Sequence, residues 1–272
     1  MTPPRTPELT TDLAVHQYGR HDGPDLLLVH GLTDSAAGWA QAVAHWEGSY
    51  RVTTVDLRGH GESPRFTADQ LEAHPGDIMV EDVSSIVEQL DRPVVLGHSL
   101  GGAVSLAVGV RRPDLVRALV LEDPAPRSPQ EPLRDPERGR LYSDGLQPAR
   151  DAADEEALMT LRRELHPDWP QEELLPTGRA EQQTQDDYLR HGEWKPTTPW
   201  NELLGDLQVP TLLLTGGNDD EVVISRRLEE RMLAAAPERL SVQRLEGAGH
   251  CVRRDRQDLY YDVVDDWLAR VT

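Results

Sequence analysis

A single cysteine, Cys251, and a single lysine, Lys195, occur in the 272 residues. One cysteine excludes an internal disulfide and fits a reducing compartment. No apolar run approaches the roughly 20 residues of a membrane-spanning helix, and the opening stretch Met1-Thr2-Pro3-Pro4-Arg5-Thr6-Pro7 lacks the apolar centre of a secretory signal. The expectation is a cytoplasmic protein with no membrane partner. Basic residues are scarce as well: 28 Lys and Arg against 48 Asp and Glu leave a formal charge of −20, which argues against nucleic acid or anionic lipid as a partner. Arginine supplies almost all of the basic residues, a bias that a GC-rich genome or a salt-adapted host each produces. The histidines His60, His166, His191 and His250 show no metal-ligand spacing, and neither a metal nor an organic cofactor is expected. There is no internal repeat, and a chain of this length can bury one large core.

What is present is concentrated in a few segments. Gly97-His98-Ser99-Leu100-Gly101-Gly102 follows the apolar run Pro93-Val94-Val95-Leu96 and opens the small-residue run Ala103-Val104-Ser105-Leu106-Ala107. The pattern predicts strand, sharp turn and helix. A serine at such a turn is forced into a strained conformation with its hydroxyl above the sheet, and glycines two before and two after it remove side chains that would collide there. Ser99 is therefore the candidate nucleophile. The N–H of Leu100, at the start of the following helix, is placed to stabilise a developing oxyanion.

Three further segments supply partners in a consistent order. Asp25-Leu26-Leu27-Leu28-Val29 predicts a buried strand that ends in His30-Gly31, after which the N–H of Leu32 is a second oxyanion donor. Tyr50 to Ser63 predicts a strand running into the glycine-punctuated turn Asp56-Leu57-Arg58-Gly59-His60-Gly61. Near the C-terminus Gly247-Ala248-Gly249-His250 follows the strand Leu240 to Leu245, which sets His250 on a loop as the candidate base.

Together these segments resemble the α/β-hydrolase family over nearly the whole chain. The resemblance implies a mostly parallel central sheet with helices on both faces, a Ser-His-acid triad and catalytic groups on loops at the strand ends. It also implies that the Asp56–Gly61 segment locks a turn, so it is left out of the site, and that His30 shapes the oxyanion loop. His98 reads as a hydrogen-bonded structural group, and Cys251 as a small buried thiol with no base beside it.

The triad acid is the open position. Asp219, in Gly216-Gly217-Asn218-Asp219-Asp220-Glu221-Val222, looks like the family's acid after a strand and is the first choice. Glu122 is the principal alternative, because some family members take the acid from the end of the strand before the inserted helices. Asp123 and Asp220 complete the set, and an aspartate before a helix is commonly no more than a cap.

Along the chain, residues near Leu9 to Tyr18 read as an opening strand pair and Ser35 to Trp46 as the first helix. Ile78, Val83, Ile86, Val87 and Leu90 recur at helical spacing between Gly76 and Leu90, and Ala118–Leu121 and Val209–Thr215 read as buried strands. Residues 1–123 and 201–272 are expected to form the core. Residues 124–200, too long for a crossover and too charged for a core, are expected to form a helical cap. Its expected helices are Arg150 to Leu165 and Arg179 to Trp194, divided by Pro167, Pro170 and Pro176. Trp39, Trp169, Trp194 and Trp200 are candidates for the pocket wall.

The implied activity is hydrolysis of a small carboxylic ester, lactone or thioester through an acyl-enzyme, with a small-molecule substrate as the partner. Serine at the nucleophile position speaks against the family's dehalogenases and epoxide hydrolases, which need a carboxylate there. A C–C bond hydrolase or acyltransferase of the same fold is one alternative, and a non-catalytic small-molecule receptor is another. The sequence carries no signal for oligomeric state.

Overall fold

The computed structural model describes residues 9–272, so the Met1–Pro7 stretch lies outside the described residues. Seven strands form one sheet: β1 Val15–Gly19, β2 Asp25–Val29, β3 Arg51–Val55, β4 Val94–His98, β5 Ala118–Glu122, β6 Thr211–Gly216 and β7 Leu240–Leu245. Their order is β1-β3-β2-β4-β5-β6-β7, with β1 antiparallel to β3 and every other pair parallel. The expected opening strand pair is a single strand, since β1 finds its partner in β3.

The central strands β2, β4, β5 and β6 are buried along their whole length. Parallel strands covered on both faces need apolar side chains on both, which is why their sequences are near-continuous apolar runs. On one face Leu27, Val95, Leu119 and Leu213 pack with Met79, Val83 and Val104, from the helices Pro75–Val87 and Leu100–Arg111. On the other, Leu26, Leu96, Val120 and Leu212 pack with Trp46, Val264 and Leu268, from the helices Ala40–Trp46 and Gln257–Val271.

Chain order reverses between β2 and β4, which places a crevice outside the C-terminal ends of these strands. His30-Gly31 and Ser99 lie at those two ends. Six helices lie between β5 and β6: Pro136–Gly145, Gln147–Arg150, Glu155–Leu165, Gln171–Gln183, Asp186–His191 and, leading into β6, Trp200–Gly205. The expected helix Arg150–Leu165 is broken at Asp154, whose side chain accepts the N–H of Ala157 and starts a new helix. The expected helix Arg179–Trp194 is broken at Thr184, where the backbone turns extended and the hydroxyl donates to Ala180 O at 2.8 Å. Pro176 does not divide helices but lies inside Gln171–Gln183. Pro136 opens a helix the sequence reading missed, standing in the first turn where its missing N–H costs little.

Candidate active site

The Gly-x-Ser-x-Gly turn has the geometry its composition predicts. Ser99 is held at φ 52°, ψ −115°, a conformation an L-residue adopts only when its surroundings impose it. Its N–H donates to Glu122 O at 2.9 Å, and its carbonyl accepts the N–H groups of Ala103 and Ala125. A Cβ on Gly97 would stand 2.4 Å from Gly101 O, and one on Gly101 would stand 2.3 Å from Val29 O. Both glycines are required by contact with backbone.

His250 reaches Ser99 from the loop after β7. The hydroxyl donates to His250 Nε2 at 3.0 Å, while His250 Nδ1 donates to Asp123 Oδ2 at 2.6 Å. Asp123 is fully buried, at φ 35°. Its Oδ1 also accepts from Thr215 Oγ1 at 2.7 Å and Ile224 N at 3.0 Å, and its Oδ2 from Val223 N at 2.8 Å. Four donors hold this carboxylate in place.

The two favoured acids lie elsewhere. Asp219 is about half exposed and accepts the N–H of Arg226 at 3.2 Å and Arg244 Nη1 at 3.2 Å. It takes the first N–H of the helix Arg226–Ala235, whose N-cap is Ser225, and so serves the start of a helix. Glu122, the last residue of β5, shares the strand face of Val120 and Ala118, which is covered by the C-terminal helix. Its Oε1 accepts the N–H of Arg253 at 2.8 Å, and burial raises its pKa against the pull of Arg253. Asp123, one residue further, clears the strand. Register contains the signal that would have found it: His98 pairs with Glu122, so the residues just past β4 and β5, Ser99 and Asp123, are neighbours. The loop expected to carry the acid instead donates the N–H groups of Val223 and Ile224 to Asp123.

The remaining loop is fixed by histidines. His30 is fully buried; its Nε2 accepts the N–H of Leu57 at 2.9 Å, so Nδ1 is the protonated nitrogen and donates to Gly31 O at 2.8 Å. Asp56 accepts the N–H groups of Ala36 at 2.6 Å and Glu62 at 2.8 Å, pinning the glycine turn against the segment that follows Leu32. His98 donates from Nε2 to His250 O at 3.2 Å, and burial keeps its pKa well below the ordinary value, with His250 and Arg254 adding to the effect. It is a neutral brace under His250. Burial pushes the Cys251 thiol up to about 12, so no thiolate competes with Ser99 near neutral pH.

A cavity of about 490 Å³ opens over Ser99 and His250. Leu32 and Leu100 line it, and Leu100, as the first helical residue, has no intrahelical acceptor for its N–H. Trp169 and Trp194 form part of its wall, as expected. Trp39 does not: it is 3% exposed, packed in the core with Arg253 lying 5.0 Å over its ring. Trp200 is likewise a core residue, with Arg231 5.1 Å over its ring. Sequence reading also missed the charged wall. Arg254 donates to Asp34 Oδ2 at 2.7 Å and to Glu173 Oε2 at 2.9 Å, and Glu173 also binds Arg253. Because Glu173 lies on the helix Gln171–Gln183, this buried network ties the inserted helices to the loops after β2 and β7. Arg254 further lies 5.0 Å over the ring of Trp169, whose Nε1 donates to Asp255 Oδ1 at 2.8 Å.

A sheet of this order with serine and histidine facing a crevice at its switch point defines an α/β hydrolase. The chain belongs to the alpha/beta hydrolase family, whose model matches residues 26–263. A lipase, LipV, of Mycobacterium tuberculosis is 38% identical over 116 residues, 42% of this chain and 42% of the lipase. An sn-1-specific diacylglycerol lipase, ABHD11, of Xenopus laevis is 39% identical over 127 residues, 44% of this chain and 39% of that protein. These alignments span less than half the length of either relative. Among solved structures, the enol-lactonase from Burkholderia xenovorans superposes with a TM-score of 0.70 at 20% identity, covering 94% of this chain and 96% of that one. No helix among the described residues is long and apolar enough to cross a membrane.

Proposed function

We propose that the chain is a serine hydrolase that cleaves a small carboxylic ester through an acyl-enzyme, with Ser99 as nucleophile, His250 as base and Asp123 as the acid that orients it. The continuous hydrogen-bond path from Ser99 Oγ through both nitrogens of His250 to the buried Asp123 carries this reading. His250 Nε2 takes the hydroxyl proton as Oγ attacks the carbonyl carbon, and the N–H groups of Leu32 and Leu100 hold the oxyanion. The imidazolium, stabilised by Asp123, returns the proton to the departing alkoxide. Water then attacks the acyl-enzyme by the same route, releasing the acid and restoring the serine.

Residues 124–200 act as the cap that selects the substrate, a small molecule that fits the cavity, and the enzyme works in the cytoplasm. The lipase relatives and the enol-lactonase structure support esters and lactones as the substrate class. A fluorophosphonate probe with a panel of p-nitrophenyl esters tests the reading. Labelling at Ser99, with turnover that Ser99→Ala abolishes, is expected. Turnover or labelling that persists in Ser99→Ala overturns it.

A further inference from the structure

We propose, building on the serine-hydrolase reading, that the cavity accepts an ester whose chain ends in a carboxylate, and that Lys195 and Arg138 bind that carboxylate. In a chain of net charge −20, the one lysine lines the cavity over Ser99 and is only 17% exposed. Its Nζ donates to Glu131 Oε1 at 2.6 Å and Oε2 at 2.9 Å, and Arg138 Nη1 donates to the same Oε1 at 3.3 Å. Arg127 stands beside them and donates only to carbonyls, those of Thr197, Ser128 and Glu131. Three cations thus surround one carboxylate. Counting Asp135, whose carboxylate caps the N–H of Arg138, still leaves positive charge in excess.

The other cations of the cavity are matched. Arg162 pairs with Glu181 at 2.6 Å, and Arg254 with both Asp34 and Glu173. Asp220 and Glu221 also line the cavity, and the local excess of positive charge lies at the Lys195–Arg138 edge. Arg138 also has a fixed attitude there, 5.7 Å over each of the rings of Tyr142 and Trp194, which meet edge to face at 4.8 Å. The guanidinium thus lies against the aromatic wall, and its Nε and Nη2 make no protein hydrogen bond among the described residues. A planar rim of donors beside an ammonium is suited to a carboxylate, while the two rings pack the carbon chain that leads to it.

The test compares p-nitrophenyl hemiglutarate with p-nitrophenyl pentanoate. The native enzyme should favour the anionic ester at least tenfold in kcat/KM at low salt, and less so at high salt, as screening weakens the attraction. Lys195→Met and Arg138→Gln should each cut the ratio of the two kcat/KM values by about tenfold, the effect of one charge-assisted hydrogen bond, and Lys195→Arg should restore most of it. An enzyme with no preference, or variants that lower both esters equally, overturns the proposal. So does a preference that Arg162→Met removes and Lys195→Met keeps. Calorimetric titration of Ser99→Ala with glutarate separates this idea from the hydrolase reading: binding lost on adding Lys195→Met supports the subsite even where no ester is turned over, and absence of binding refutes it.

Discussion

Asp123 and His250, 127 residues apart in sequence, are joined by a 2.6 Å hydrogen bond between Oδ2 and Nδ1. Because Asp123 accepts a hydrogen bond from Nδ1–H, Nε2 is left bare to accept from Ser99, and this tautomer is set in the free protein. The bond is charge-assisted and buried on the acid side, where the carboxylate has no water to turn to.

Replacing the acid by its amide should therefore separate the two aspartates. Asp123→Asn presents an NH2 or a weaker acceptor to Nδ1, favours the wrong tautomer and should lower kcat about ten-thousandfold. Asp219→Asn should leave kcat within about twofold, since Asp219 serves a helix start and Arg244. Steady-state kinetics on an activated ester checks both; a crippled Asp219→Asn beside an active Asp123→Asn would reverse the assignment.

The way this acid escaped a linear reading has a physical cause. Ser99, His250 and the oxyanion loop announce themselves because each sits in a local glycine pattern that only a sharp turn requires. Asp123 has no such pattern; it is a single acidic residue after a buried strand, and its distinction lies in lateral pairing of β4 with β5. The strands were legible because burial on both faces demands unbroken apolar runs. The helices between β5 and β6 were legible only in part, since their breaks at Asp154 and Thr184 depend on side-chain hydrogen bonds to backbone. Arg253 and Arg254 carry no local pattern that marks them, because their partners Glu173 and Asp34 lie 80 or more positions away.

Those partners make a prediction about acid. Burial alone would raise the pKa values of Asp34 and Glu173, but Arg254 and, for Glu173, Arg253 pull both below the ordinary carboxylate range. A depressed carboxylate stabilises the fold above its unfolded pKa, near 4, and that contribution is lost as pH falls through the folded value. Urea midpoints should therefore drop steeply below about pH 4. Arg254→Met, which strands the buried carboxylate of Asp34 and leaves Glu173 with Arg253 alone, should cost about 3–5 kcal/mol at pH 7. It should also flatten the acid limb, because protonation then relieves the stranded charge of Asp34. A variant as stable as the parent at pH 7 would show that the network contributes nothing net.

Gly101 offers a test of the turn itself. Its α-carbon faces Val29 O and His30 O, at 2.3 and 2.4 Å from an added Cβ, and neither backbone group can yield without moving the oxyanion loop. Gly101→Ala should reduce both the thermal midpoint and the rate of fluorophosphonate labelling. Gly48→Ala, where an added Cβ meets nothing within 4 Å, should change neither. Equal behaviour of the two would mean the elbow tolerates the displacement.

The tryptophans separate wall from core. Trp169 and Trp194 face the cavity, one clamped by Arg254 and Asp255 and the other beneath Arg138, so shortening either enlarges the cavity. Trp169→Ala and Trp194→Ala should change the order in which short, long and aromatic esters are preferred. Trp39, buried beneath Arg253 and outside the cavity, should behave differently. Trp39→Ala should destabilise the protein by about 3–5 kcal/mol through the void it leaves, with the order of esters kept. Ratios of kcat/KM across the panel, with urea unfolding of each variant, distinguish the two outcomes. If Trp39→Ala alters the order while the other two keep it, the helices between β5 and β6 do not choose the substrate.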